Sequence, residues 1–153
     1  MGTFAATAGN SDQLERIAKG LSKDMTSIML SRHDGADFGY TIGNTTRGYP
    51  ELIMFGGTES DHVQLLKLAM SYQEHNEKVK DGADFPIVIV DGRLFKIKDV
   101  PLTKNVLSIV PMLQFFFHGK FELRQLVYTA RGKFPWEEGY DRSKDRVLPC
   151  LWR

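Results

Sequence analysis

One cysteine, Cys150, in 153 residues excludes an internal disulfide and any zinc cage built on cysteine. A reducing, cytoplasmic setting is the matching expectation. Excess charge is lacking too: 20 basic side chains oppose 19 acidic ones, a net charge of +1. Without a gathered basic excess, extended nucleic acid is not an expected partner. No apolar run approaches the roughly 18 residues that span a bilayer, so no membrane partner is expected either. The start Met1 to Gln13 has neither the basic region nor the apolar core of a secretory signal. Its Met-Gly opening fails as a myristoylation signal at Ala6. Also missing are a G-x-S-x-G nucleophile turn, a glycine-rich phosphate loop and paired histidines at i, i+4. No cofactor and no metal are expected.

What is present is ordinary globular material, 42% hydrophobic and 25% charged, enough for one self-sufficient core. Residues 1–10 are small and polar and read as a disordered N-terminus, with 11–153 as a single globular domain. Asp12 and Glu15 form a capping box, and Leu14, Ile17, Ala18 and Leu21 a helical stripe over 12–23. Residues 27–31 read as a strand, and 33–37 as the turn of a hairpin into a second strand. There Phe38, Tyr40 and Ile42 alternate with small or polar residues. The turn residues 44–50 follow, then the unbroken apolar run Leu52 to Phe55, as expected for a strand covered on both faces.

A second capping box, Asp61 with Gln64, opens a helix over about 61–79, with Val63, Leu66 and Met70 along its inner face and Leu65, Leu68, Ala69 and Tyr72 widening it. Asp91-Gly92 between β-rich runs predicts a two-residue type I′ hairpin joining 85–90 to 93–98. Pro111 belongs in the first turn of a short helix begun near Ser108 and ended at Gly119. Residues 121–128 complete the pattern as a strand. The fold class is therefore α+β: a mixed, largely antiparallel sheet of five to six strands with about three helices.

Chemistry-bearing residues collect around residues 40–51. Tyr40, Thr41, Asn44, Arg47, Tyr49 and Glu51 present hydroxyls, an amide, a guanidinium and a carboxylate from two strand ends. The four histidines, His33, His62, His75 and His118, have no metal-ligand spacing and read as surface or capping groups. A loop metal site from His33, Asp34 and Asp37 is the alternative for the first of them. Gly56, Gly57 and Thr58 precede a helix, but Glu59 and Asp61 would repel an anion there, so this is a cap. Phe134, Pro135, Trp136 and Tyr140 make a rigid aromatic segment that packs on the body or stacks on a ligand.

Taken together, Tyr40-Thr41-Ile42-Gly43, Gly48-Tyr49-Pro50-Glu51-Leu52, Phe55-Gly56, Gln125, Gly132-x-Phe134-Pro135-Trp136-Glu137 and Gly139-Tyr140-Asp141 resemble the uncharacterised bacterial and phage proteins grouped as domain-of-unknown-function family 4262. The resemblance runs from about Met25 to Asp141. It departs at Tyr49, where the family usually has His, and at Thr129, where it usually has Asp. It implies a cytosolic single-domain protein, often encoded on mobile or phage DNA. It brings no activity, and it adds Gln125 and Trp136 to the candidate pocket beside Tyr40, Thr41 and Glu51.

The functional expectation is a small cytosolic ligand-binding protein that holds a small polar or nucleotide-like ligand between the 40–51 turn and the 134–140 segment, as a phage-encoded binder of a nucleotide-derived signal would. Arg47 would meet an anionic group as a fork, and Trp136 or Tyr49 would stack. One alternative is a hydrolase with Glu51 as general base, assisted by Tyr40 or His33. Another is a phage protein-interaction module binding a host protein through Phe115 to Phe117. The oligomeric state is left open.

Overall fold

The computed structural model describes residues 8–33, 35–56, 58–75, 83–85, 95–129, 133–140 and 151. Helix α1 (Ala8–Leu21) leads into strands β1 (Ser27–His33) and β2 (Ala36–Ile42). A 3-10 helix (Asn44–Arg47) and β3 (Glu51–Phe55) follow, then α2 (Glu59–His75), β4 (Ala83–Phe85), β5 (Phe95–Val100), α3 (Lys104–Ile109), α4 (Pro111–Phe117) and β6 (Leu123–Tyr128). The six strands form one sheet in the order β1-β2-β3-β6-β5-β4. The only parallel pairing among these is β3 with β6, Ile53 opposite Gln125. The fold is the α+β arrangement, mixed and largely antiparallel, that the hairpin signals predict.

Helices cover both faces of the sheet. On one, Phe38, Tyr40, Ile42, Ile53, Phe55 and Leu123 pack against Ile17 of α1, Val106 and Ile109 of α3, and Met112 and Leu113 of α4. On the other, Leu52, Met54, Phe95, Ile97 and Leu126 meet Leu65, Leu66 and Ala69 of α2. This double cover explains the apolar run in β3, whose five residues are all buried. Each of its apolar side chains, Leu52 to Phe55, contributes about 2 kcal/mol of transfer free energy. The exposed Arg32–Asp37 pair across β1 and β2, 2.9 Å apart with side chains 65% and 57% exposed, contributes less than about 1 kcal/mol. The hairpin is held by its ladder and core.

Several local expectations are corrected. Residues 8–10, expected to be disordered, are the first turn of α1, so Asp12 lies inside the helix and does not cap it. The capping box of α2 sits three residues early: Thr58 Oγ1 accepts from the Asp61 amide, and Asp61 returns an acceptor to the Thr58 amide. The buried stripe of α2 is His62, Leu65, Leu66, Ala69 and Gln73, while Leu68 is exposed. Residues 104–117 form two helices, because Pro111 at the first turn of α4 interrupts the run and Thr103 caps α3 separately. His118 and Gly119 both adopt positive φ and end α4. The Asp91-Gly92 turn lies outside the described residues. The flanking strands do pair, but Phe85 faces Phe95, whereas an unbroken ladder closed at 91–92 would set it opposite Lys98.

α2 approaches β2 at Gly39. A Cβ there would stand 2.9 Å from His62 Cβ and 3.3 Å from Leu30 Cδ2, so glycine is what lets helix and strand come this close. Gly39→Ala should therefore force α2 outward at a cost of about 1–3 kcal/mol, read as a lowered urea midpoint at unchanged slope. An unaltered midpoint would mean that the helix has room to spare.

Candidate functional site

The link between β2 and β3 is organised by one carboxylate. Glu51 is fully buried. Its Oε1 accepts from Thr41 Oγ1 at 2.7 Å and the Asn44 amide at 3.2 Å. Its Oε2 accepts from the Gly43 amide at 3.2 Å, the Thr45 amide at 2.8 Å and Thr45 Oγ1 at 2.6 Å. The three amides belong to the N-terminal end of the 3-10 helix, where N–H groups have no intrahelical partner and the backbone dipole favours an anion. Gly43 permits the bend: it has φ 134°, and a Cβ there would fall 2.6 Å from the Met25 carbonyl oxygen.

A second ring of bonds surrounds the first. Thr41 Oγ1 also accepts from the Leu52 amide and from Asn44 Nδ2. Asn44 Nδ2 further donates to the Pro50 carbonyl, which Gln73 of α2 also reaches. Arg47 Nη2 donates to Thr26 Oγ1 at 2.9 Å and Asn44 Oδ1 at 3.0 Å, while Nη1 pairs with Glu74. Thr41, Asn44, Arg47 and Glu51 are thus brought together, as the sequence suggests, but they bind one another.

The remaining sequence-derived residues are anchored separately. Tyr40 is wholly buried, with its ring stacked on Phe38 at 5.9 Å. Burial pushes its hydroxyl pKa far up, the Met112 backbone acting weakly the other way. Tyr49 is half-buried and donates its amide to the Asn44 carbonyl. Gln125 is buried on β6, where its Oε1 accepts from the Leu151 amide at 3.0 Å. Trp136 is 43% exposed, stacks on Phe134 at 4.9 Å and lies beneath Lys98 of β5. β5 stands two places from β3 in the sheet, about 10 Å away at ordinary strand spacing. Of the three phenylalanines proposed as a protein contact, Phe115 is exposed, while Phe116 and Phe117 pack partly on the core.

His62, read from the sequence as a surface or capping group, is 1% exposed. One ring nitrogen, Nε2, bonds the Gly56 carbonyl; the other, Nδ1, is buried with no partner. Beside it lies a half-open cavity of about 410 Å³ lined by β1 residues 28–32, Asp37, Phe38, Gln13, Glu59 and His62. The legible signal was the helical spacing of His62 with Leu65, Leu66, Ala69 and Gln73, which places it on the inner stripe. Among the described residues no three of His, Cys, Asp and Glu gather as a metal site, and no helix is long and apolar enough to cross a membrane. Asp34 lies outside the described residues.

The family model described as "Domain of unknown function (DUF4262)" matches residues 19–141. No curated protein and no solved structure matches the chain.

Burial pushes the Glu51 carboxyl above its ordinary range, and the bonds from Thr45, Thr41 and Gly43 pull against it. A folded-state pKa above the unfolded one means that the native state holds the extra proton more tightly. Glu51's share of stability is then present at low pH and lost as pH rises through the folded value. Glu51→Gln must set an amide NH2 against at least one backbone N–H, since both oxygens face donors. Urea unfolding should show a loss of about 3 kcal/mol. The gap between the two proteins should narrow as pH is raised from about 4 to about 7; a widening gap would reverse the assigned shift.

Proposed function

The chain belongs to the DUF4262 family, which is defined without an assigned activity, and we propose that it is a binding protein whose ligand sits in the cavity beside β1. The observation that carries this reading is His62: a buried ring nitrogen without a partner, next to a cavity of about 410 Å³. A buried acceptor left unpaired costs about 1–3 kcal/mol, which a ligand N–H or O–H would recover on reaching Nδ1 through the lining. The volume lies in the ordinary range for small-ligand sites.

The charged groups refine the ligand class. Among the described lining residues the cation Arg32 is bound by Asp37, and Glu59 is left uncancelled. Arg47, expected to meet an anion, is already held by Glu74, Thr26 and Asn44. These pairings favour a polar ligand rich in donors over a nucleotide, whose phosphates require a free cation. Hydrolysis at Glu51 is the weaker reading. A general base needs a lone pair aimed at a substrate proton, and this carboxylate is fully buried and accepts five hydrogen bonds.

A fragment screen followed by amide ¹H–¹⁵N shifts tests the placement. Methylguanidine, acetamide and small amines should perturb Leu30, Glu59 and His62 together, and His62→Ala should weaken them about tenfold, equal to about 1.4 kcal/mol. Perturbations clustered instead on residues 44–51 or 134–140 would overturn it.

A further inference from the structure

The cavity runs along a sheet edge, and the β1–β2–β3 pairing fixes the direction of that edge's backbone groups. The Gly56 amide donates to the Asp37 carbonyl at 2.9 Å, so Asp37 turns its backbone toward β3. Antiparallel partners alternate between hydrogen-bonded and non-bonded pairs. Asp37 is opposite Arg32, Gly39 opposite Leu30 and Thr41 opposite Ile28, and these are therefore the non-bonded pairs. Ile28, Leu30 and Arg32 turn their N–H and C=O groups away from β2. Among the described strands β1 ends the sheet on this side, and the same three residues line the cavity.

Resting on the placement of the ligand beside β1, we propose that this ligand is an extended, basic peptide segment of another protein, added antiparallel to β1 as a seventh strand. Three outward donor–acceptor sets at two-residue spacing match the repeat of an incoming strand. Side chains of such a strand alternate between the sheet's two faces. One set would meet Gln13 of α1, and the other Glu59 and His62 of α2, the two walls of the cavity. On the α2 side the uncancelled Glu59 carboxylate and the unpaired His62 nitrogen both suit a lysine or arginine, which brings positive charge and N–H donors.

Charge also selects against a second copy of this chain. Self-pairing of β1 about a two-fold axis perpendicular to the sheet would keep both α2 helices on one face. Glu59 would then meet Glu59 across the seam, which is repulsive.

The probe is the peptide acetyl-Val-Lys-Val-Lys-Val-Lys-Val-amide, titrated against the full chain. N-methylation of its valines and N-methylation of its lysines should differ by about tenfold or more in affinity, because only one parity of amides faces β1. On binding, amide exchange at Ile28, Leu30 and Arg32 should slow by about tenfold or more. Glu59→Lys, at an exposed site, should weaken binding, and an acetyl-Val-Glu-Val-Glu-Val-Glu-Val-amide peptide should bind at least about tenfold less well. Leu30→Pro removes one outward N–H and no β1–β2 bond, so it should weaken binding with the circular dichroism spectrum retained. If that variant unfolds, the methylated peptides still decide. Equal affinity of the two methylated peptides overturns strand addition, as does peptide binding without slowed exchange on β1. A concentration-dependent dimer abolished by Glu59→Lys or Leu30→Pro overturns it in favour of self-pairing. If fragments bind beside His62 and the peptide does not bind, the strand inference fails and the cavity reading stands. If fragments bind elsewhere, the cavity reading fails as well.

Discussion

A single buried carboxylate holds the central turn of this protein in place. Glu51 sits at the first position of β3 and gathers Thr41 from the end of β2 together with the first amides of the 3-10 helix. Taking such a group out of water costs several kcal/mol unless donors replace the lost hydration. Five donors offset part of that cost here, and three of them are backbone amides that would otherwise be orphaned at a helix start. The cost and the compensation are therefore one structure: the turn can bury its amides because Glu51 accepts from them, and Glu51 can be buried because the turn is folded. Removing either partner leaves the other unsatisfied.

The same turn ties the sheet to α2. Arg47 reaches Glu74, and Gln73 reaches the Pro50 carbonyl that Asn44 also binds. At its other end α2 is fixed by the Thr58–Asp61 box and by the close approach of His62 to Gly39. A helix pinned at both ends across β1, β2 and β3 makes a stable wall. The same helix lines the cavity by the sheet edge through Glu59 and His62.

Much of the architecture was readable in the residues because it depends on patterns local to each segment. The alternation at Phe38, Tyr40 and Ile42 and the apolar run of β3 report burial directly, and the turn signals at 33–37 predict the β1–β2 hairpin. Failures arose where two signals competed within a few residues. Thr58–Asp61 and Asp61–Gln64 both fit a capping box, and only the position of the helix start chooses between them. The α2 stripe was misjudged because Val63, Leu68 and Met70 are as apolar as the residues that are buried. The register of β4 against β5 departs from the Asp91-Gly92 rule, because ladder position is a property of two strands and not of the turn alone.

The site was legible as a cluster but not in its internal pairing, and the reason is chemical. A sequence shows which polar groups are near one another, and it cannot show whether their lone pairs and protons face each other or face outward. Thr41, Asn44, Arg47 and Glu51 look like a pocket, and they form a network in which the Glu51 oxygens, the Thr41 oxygen and the Asn44 amide are all engaged. Such a network is largely self-satisfied and suited to holding a turn, with Arg47 Nε and Gln73 Oε1 left as its buried atoms without a partner. Recognition requires the opposite condition, polar groups held in place but unsatisfied. Among the described residues that condition is met at the outward backbone of Ile28, Leu30 and Arg32, and the buried His62 Nδ1 stands without a partner beside the same cavity. The network around Glu51 braces the β2–β3 turn, and the outward edge of β1 belongs to the same three-stranded meander.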